Sequence, residues 1–249
     1  MNQTIECLLQ HRSIRRFKDE PLTKEQIKTI VECAQMAPTS SYVQAYSIIG
    51  VTNQDTKEKL AELSGNQKYV ANNGHFFVFC ADLYRHQKIG EWKGVDLTES
   101  LESTEMFMIG LIDAALAAQN ATIACESMGL GICYIGGLRN ELREVTKLLQ
   151  VPKHVIPLFG LAVGYPEQDP ILRPRLPMNV AYHEEIYQTD EKDLKDQLAD
   201  FDQIVSDYYV ERTKGRRNDT WTNQMKDTLK VAKRTYMKEY LKEQGFPLK

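Results

Sequence analysis

Short apolar runs alternate with amphipathic segments between residues 45 and 165. The runs 45–51, 75–82 and 155–164 are rich in β-branched and aromatic side chains and are bounded by polar residues, which predicts buried strands. A fourth strand is predicted at 131–137, where the apolar run ends in two glycines. Strands that alternate with helices predict a core of the α/β or α+β class.

The segments between the strands carry helical patterns. Thr23 and Gln26 form a capping-box pattern at the start of one helix, which ends before Pro38. The segment 102–131 is apolar on nearly every face from Met106 to Ala124, so we expect a helix that is buried on all sides. Residues 83–100 are polar and are predicted to be irregular.

The pattern becomes polar and helical after residue 177. Apolar residues from Leu194 to Tyr208 are spaced four, three, four and three, a narrow seam typical of a helix that packs on a partner. A basic loop follows at 212–221, and an amphipathic helix is predicted from Trp221 to Tyr236. These features predict a helical C-terminal extension.

The composition argues against several classes of protein. The 249 residues carry a formal net charge of −3, so we expect no general nucleic-acid binding. No uncharged apolar run approaches the roughly 18 residues that cross a membrane, and the N-terminus lacks a signal peptide, so a cytoplasmic protein is expected. The five cysteines form no CxxC pair, and no Cys or His pair has ligand spacing. We therefore predict no disulfide framework and no metal site.

Basic residues cluster in two places. Arg12, Arg15 and Arg16 surround Ser13, and this group is open to two interpretations: a solvated surface paired with nearby carboxylates, or a phosphate site. The second cluster is "RPR" at 173–175, where a proline holds two arginines in a defined relation. Two arginine pairs in an acidic chain favour one anionic ligand that is contacted from two directions.

Weaker signals accompany the arginines. Gly136 and Gly137 follow a predicted strand and allow a ligand to approach the backbone closely. The loops 38–44 and 65–69 offer hydroxyl, amide and amine groups. No GxGxxG or GxxxxGK[ST] motif occurs, which argues against a Rossmann dinucleotide site and a P-loop. Asp113 lies inside the apolar helix, so we expect a structural role with an arginine or backbone donor as partner.

Together these segments resemble the nitroreductase family of flavoproteins, most closely its branch of NADPH-linked FMN reductases and oxygen-insensitive nitroreductases. The resemblance covers almost the whole chain. It depends on seven strings in order, each modest by itself: "HRSIRRF" (11–17), "SSYVQ" (40–44), "GNQKY" (65–69), "FCADLYRH" (79–86), "YIGGLRN" (134–140), "PLFGLAVGYP" (157–166) and "PRLP" (174–177).

The resemblance implies an α+β, three-layer fold with a central, mostly antiparallel sheet flanked by helices. It implies a homodimer in which each C-terminal extension embraces the other subunit. The corresponding domains would be an FMN-binding core at 1–180 and a helical extension at 181–249 that packs on the partner subunit.

The resemblance also implies the site residues. Tightly bound FMN would carry the hydride through its N5 atom, so no catalytic acid or base is expected. The residues implied to hold FMN are His11, Arg12, Ser13, Ile14, Arg15, Thr39, Ser40, Gln67, Lys68, Tyr69, Tyr134, Ile135, Gly136, Gly137, Arg173, Pro174 and Arg175.

The family further implies NADPH as electron donor. Its 2′-phosphate would be bound by Arg212, Arg216 and Arg217 in the basic loop. The implied cycle is ping-pong, with free flavin, nitroaromatic compounds and quinones as small-molecule acceptors. Three alternatives remain open: another flavin enzyme on this fold, a non-catalytic dimeric flavin- or nucleotide-binding protein, and an interaction protein without cofactor.

Overall fold

The computed structural model describes residues 2–249 in two compact units. The first unit comprises the chain up to Pro170 together with Arg234–Lys249, and the second comprises Ile171–Lys233. Helices account for about half of the described chain. In chain order they are α1 (Gln3–Leu9), α2 (Lys24–Gln35), α3 (Gln54–Leu63), α4 (Lys68–Ala71), α5 (Tyr84–Lys93), α6 (Thr98–Leu101), α7 (Thr104–Ser127), α8 (Leu142–Leu148), α9 (Met178–Ala181), α10 (Glu191–Thr213), α11 (Trp221–Leu229) and α12 (Met237–Glu243).

Four strands form one sheet in the first unit. They are β1 (Tyr46–Val51), β2 (His75–Asp82), β3 (Gly131–Ile135) and β4 (Val155–Gly164). The order is β1-β2-β4-β3, and each neighbouring pair is antiparallel. All four strands predicted from the apolar runs are present, and the antiparallel sheet is confirmed. The expected burial is wrong for β1, an edge strand in which only Val51 is buried.

Alternate side chains of β2 fill separate apolar clusters on opposite faces of the sheet, because successive residues of a strand point in opposite directions. Phe76 belongs to the cluster that contains Leu60 of α3 and Val145 of α8. Phe77 belongs to the cluster that contains Ile30 of α2 and Ala117 of α7. Helices therefore cover both faces, which confirms the three-layer α+β fold.

The helix α2 begins as predicted. The Thr23 side chain accepts the backbone N–H of Gln26, and the Gln26 side chain accepts the backbone N–H of Thr23, which completes the capping box.

Helix α7 is buried on one side only, so the expectation of burial on all sides is wrong for the single chain. Ala114, Ala117 and Ala121 are fully buried, but Met108 and Ile112 are nearly half exposed. The helix has the length and apolar composition of a membrane span, which core helices also have. Here its buried side contacts α2 and β2.

Two further expectations are wrong. Residues 83–100 are not irregular: they contain α5 and α6, and Gly94 ends α5 in the left-handed conformation. Their sequence is mostly polar and gives no apolar stripe, and the large apolar side chains Ile89 and Trp92 of α5 are exposed. The helix expected from Trp221 to Tyr236 ends at Leu229, and α12 begins separately at Met237.

The second unit has its own small apolar cluster. Phe201, Val205 and Tyr208 of α10 are buried, and Trp221 of α11 packs against them. Leu194, at the start of the predicted seam, is 46% exposed. The proposed division of the chain at residue 180 stays a prediction.

Candidate functional site

The backbone of the segment 11–17 is fixed against the edge of the sheet. The Ile14 N–H donates to the Ile132 carbonyl of β3 at 2.8 Å, and Ser13 forms a bridge with the same residue. Phe17 forms a second bridge with Pro166. The side chains of Ile14 and Phe17 are buried, so two apolar anchors hold a segment whose other residues are polar.

The first two polar residues of this segment have acidic partners. His11 Nδ1 lies 2.7 Å from Glu126 Oε1 in α7, and both side chains are largely buried. Arg12 Nη2 lies 2.9 Å from Asp169 Oδ1, whose side chain is 82% exposed. The Arg12 ion pair is therefore a surface contact that an anionic ligand can replace at low cost.

Arg15 lies beside the Tyr69 hydroxyl and the Cys133 thiol. Burial raises the pKa of Tyr69, and Arg15 opposes that shift. Burial also raises the pKa of Cys133, against the effects of Arg15 and Ser13. The thiol therefore stays protonated and does not act as a nucleophile. Arg15, Tyr69, Ser13 and Cys133 form one polar cluster.

Gln67 joins this cluster to the glycine pair. The Tyr69 hydroxyl donates to Gln67 Oε1. A Cβ atom on Gly137 would lie 2.4 Å from Gln67 Nε2 and 2.5 Å from the Ser64 carbonyl oxygen, so only glycine fits there. Lys68 is exposed at the start of α4.

Tyr134 and Ile135 end β3 next to the glycines. The Tyr134 hydroxyl accepts from Thr122 Oγ1 at 3.0 Å, and its ring meets Phe159 edge-on at 5.5 Å between centroids. Tyr134 is 36% exposed, whereas Ile135 belongs to the core. Gly136–Asn140 forms a 3-10 helix, and α8 begins after it at Leu142.

The loop 39–45 is held from inside the protein by Asp113. Its Oδ1 accepts the Ser40 N–H at 3.1 Å, and its Oδ2 accepts the Ala45 N–H at 2.9 Å. This confirms the predicted structural role, with backbone donors as partners. Ser41, Tyr42 and Gln44 adopt positive φ values, which non-glycine residues rarely do.

A second anchor of this loop was not recognised in the sequence. Arg85 donates to the carbonyls of Gln44 at 3.0 Å and Tyr46 at 2.6 Å, and it pairs with the buried Asp82 at 3.1 Å. His86 contacts the Val43 carbonyl at 2.8 Å. The sequence feature that could have revealed this anchor is an aspartate at the end of a buried strand, followed three residues later by an arginine.

The remaining predicted residues lie in the second unit. Arg173 donates to the Tyr209 hydroxyl at 3.2 Å, and Arg175 donates to the Arg173 carbonyl at 2.7 Å across Pro174. Both arginines are exposed.

The basic loop of the second unit is arranged by aromatic side chains. Arg212 donates to the Tyr208 hydroxyl at 2.9 Å, and the Arg217 guanidinium lies 4.0 Å from the centroid of the Tyr209 ring. Arg217 also pairs with Asp219 at 2.8 Å, and Arg216 donates to the Thr213 carbonyl.

Comparison with known proteins identifies the class. The model of the nitroreductase family matches residues 8–165, and that of the nitroreductase family, C-terminal domain, matches residues 173–249. The chain therefore belongs to the nitroreductase family.

Two curated relatives resemble the whole chain. FMN reductase (NADPH) of Bacillus subtilis (strain 168) is 58% identical over 246 residues, 99% of each chain. An NADPH-dependent oxidoreductase of Staphylococcus saprophyticus is 45% identical over 241 residues, 96% of each chain.

Solved structures agree in fold. B. megaterium NfrA1 superposes with a TM-score of 0.97 at 60% identity, covering 99% of this chain and 100% of that one. NADPH:FMN oxidoreductase from Vibrio harveyi, complexed with NAD+, superposes with a TM-score of 0.90 at 38% identity, covering both chains completely.

Proposed function

We propose that this protein is an NADPH-dependent flavoprotein oxidoreductase that holds FMN tightly and reduces free flavin. The observation that carries this proposal is the 58% identity, along 99% of both chains, to a protein named FMN reductase (NADPH). Several of the strings that carry the family resemblance, 11–17, 40–44, 65–69 and 134–140, contain the polar groups of the first unit described above. Nitroaromatic compounds and quinones are further proposed acceptors.

The first unit offers groups that fit FMN. Arg12 has an exposed, replaceable partner, and a guanidinium suits phosphate oxygens. Gly137 lies so close to Gln67 and the Ser64 carbonyl that only glycine fits there, which brings its backbone next to Gln67. Thr39 and Ser40 stand on the loop fixed by Asp113 and would reach the ribityl side. We propose the same role in FMN binding for the other residues implied by the family, including Arg173 and Arg175.

Bound FMN would supply the redox chemistry by taking a hydride from NADPH and passing two electrons to an acceptor. The protein's contribution is positioning and electrostatics. Arg15 is a cation held beside Tyr69 and Cys133, and a cation at the ring edge favours reduction of a flavin. No side chain is needed as a general acid or base in this proposal.

The proposed site for the NADPH 2′-phosphate is the basic loop. Arg212 and Arg217 are oriented by Tyr208 and Tyr209, which reduces the ordering cost of binding an anion. Arg217 would exchange Asp219 for the phosphate, as exposed ion pairs are weak.

We propose a cytoplasmic homodimer with an FMN-binding core at 1–180 and a partner-packing extension at 181–249. The exposed apolar side of α7, with Met108, Ile112 and Leu116, supports a buried subunit contact there. Leu194 and Ile204 on α10 are exposed as well.

The test is a visible absorption spectrum of the purified protein, recorded before and after addition of NADPH under argon. We expect a flavin spectrum that bleaches with NADPH and much more slowly with NADH. A yellow protein that NADPH does not bleach would favour a non-catalytic flavin-binding protein. A colourless protein that takes up no added FMN would overturn the proposal.

A further inference from the structure

The first unit contains a cleft that is not lined by any residue proposed to bind FMN or NADPH. Its volume is about 790 Å³, within the usual range of small-molecule sites. Three segments line it: the loop after the arginine segment, the start of α3, and the turn that leads into β2. The polar groups that carry the argument are Asp19, Glu20, Lys57, Asn73 and His75.

Lys57 places a cation in the wall of this cleft. The residue is only 6% exposed, although lysine is rarely buried without a charged partner. Its ammonium donates to the Asn73 carbonyl at 2.8 Å, and within residues 2–249 it forms no ion pair. Burial lowers the pKa of Lys57, and Asp19 partly opposes this shift. The buried ammonium therefore has hydrogen atoms free for an acceptor of opposite charge.

His75 adds unused hydrogen-bonding capacity to the same wall. It is 4% exposed, and neither ring nitrogen has a hydrogen-bond partner. Burial and the Lys57 charge lower the pKa of His75 to about 4, so at neutral pH the ring offers one donor and one acceptor. Asn73 Oδ1, an acceptor, is also buried without a partner.

The opposite charge lies at the surface of the cleft. Asp19 and Glu20 are exposed residues of the lining, and they outnumber the one exposed lysine there, Lys18. A simple anion would gain from Lys57 but would be repelled by these two carboxylates. A ligand with a negative group at its inner end and a positive group at its outer end would be attracted by both Lys57 and the two carboxylates.

From this charge arrangement we infer that the cleft binds a free α-amino acid, with the carboxylate directed to Lys57 and the ammonium group to Asp19 and Glu20. His75 and Asn73 then supply hydrogen-bonding groups to the inner part of the ligand. The inference goes beyond the proposed function and does not require that flavin be bound.

The test is a binding measurement on the protein as purified, by calorimetry or ligand-observed NMR. Each proteinogenic amino acid is added in turn, followed by two analogues of the best binder: its carboxylic acid without the amine, and its amine without the carboxylate. We expect one or a few amino acids to bind and both analogues to bind at least about tenfold more weakly. Absence of binding by every amino acid, or equal binding of either analogue, would overturn the inference.

Matched variants locate the binding. Lys57→Met keeps much of the side-chain volume and removes the charge, so affinity should fall at least about tenfold. Lys59→Met alters an exposed lysine of the same helix and should leave affinity unchanged. Unchanged affinity in Lys57→Met would place the ligand elsewhere and overturn the inference. Because bleaching by NADPH is measured separately, failure here is distinguishable from failure of the proposed function.

Discussion

Asp113 and Lys57 both place a charged side chain inside the first unit, but their surroundings satisfy them to different extents. Asp113 is fully buried, and each of its two oxygens accepts a backbone N–H of the loop 39–45. Lys57 is nearly as buried, but it has one backbone carbonyl as partner and a histidine without hydrogen bonds beside it in the cleft wall.

The difference separates two uses of a buried charge. Taking an ion out of water costs several kcal/mol unless partners offset it. Around Asp113 the chain itself provides these partners. The two hydrogen bonds to Asp113 hold a loop that contains three residues with positive φ. Around Lys57 the chain leaves donors and acceptors unused. The first arrangement positions other residues, whereas the second is suited to a ligand.

The largest expected effect comes from removing the satisfied charge. Asp113→Ala leaves two buried N–H groups without acceptors, so the free energy of unfolding should fall by about 3–5 kcal/mol. The loop that carries Thr39 and Ser40 loses its anchor, and FMN affinity should fall on the order of tenfold. Urea unfolding and FMN titration measure the two effects.

A matched control removes a charge from the same helix without removing a partner. Glu105→Gln changes an exposed carboxylate in the first turn of α7 and should alter stability by less than about 0.5 kcal/mol. If Asp113→Ala were as mild as Glu105→Gln, Asp113 would not be what fixes the loop.

The next effect in size concerns His75 and acid. Its pKa is about 4 in the folded protein and 6.5 in an ordinary setting, so the unfolded chain binds more protons between these values. Stability should therefore decrease as the pH falls from about 6.5 to about 4, by on the order of 3 kcal/mol from this group. His75→Gln should remove that part of the decrease in urea unfolding measured across the pH range. An identical pH dependence in the variant would show that folding does not lower the pKa of His75.

Several features of the candidate site could be predicted from the sequence. An aspartate within an apolar helix needs a partner, and Asp113 has backbone donors as predicted. The conformation of the loop it holds was not predictable, because Ser41, Tyr42 and Gln44 have positive φ without being glycine. Lys57 lies on an amphipathic helix and resembles any solvated lysine. Its burial results from the turn at Asn73, which is distant in sequence.

The fold shows the same division between local and non-local information. Continuous apolar runs were sufficient to predict β1 to β4, because β-branched and aromatic residues between polar boundaries are recognised locally, whether the strand is buried like β2 or partly exposed like β1. Helix α5 was missed because its sequence is mostly polar without an apolar stripe. Its contacts, such as those of Arg85, are made with a segment about forty residues away. The exposed side of α7 was missed because the helix is apolar all round. Composition alone does not distinguish the side that packs in the core of the same chain from a side that contacts another molecule.

A smaller effect tests the unsatisfied charge. Lys57→Met replaces a buried cation by an apolar side chain of similar length, so stability should stay the same or rise by about 1 kcal/mol. This result would contrast in sign with that of Asp113→Ala. A fall of more than about 2 kcal/mol in urea unfolding would mean that the Asn73 carbonyl offsets the charge by itself.

The smallest effect refines the comparison with a third charged side chain, the partly buried Glu126. Its carboxylate contacts His11 at 2.7 Å, so it positions a residue proposed to hold FMN. Glu126→Gln keeps an oxygen acceptor and removes the charge, and FMN affinity should fall about threefold. Glu126→Ala removes the acceptor as well and should have the greater effect in the same titration. If neither variant changes FMN affinity, the contact between Glu126 and His11 is structural only. Asp113 would then be the only one of the two carboxylates that positions residues proposed to bind FMN.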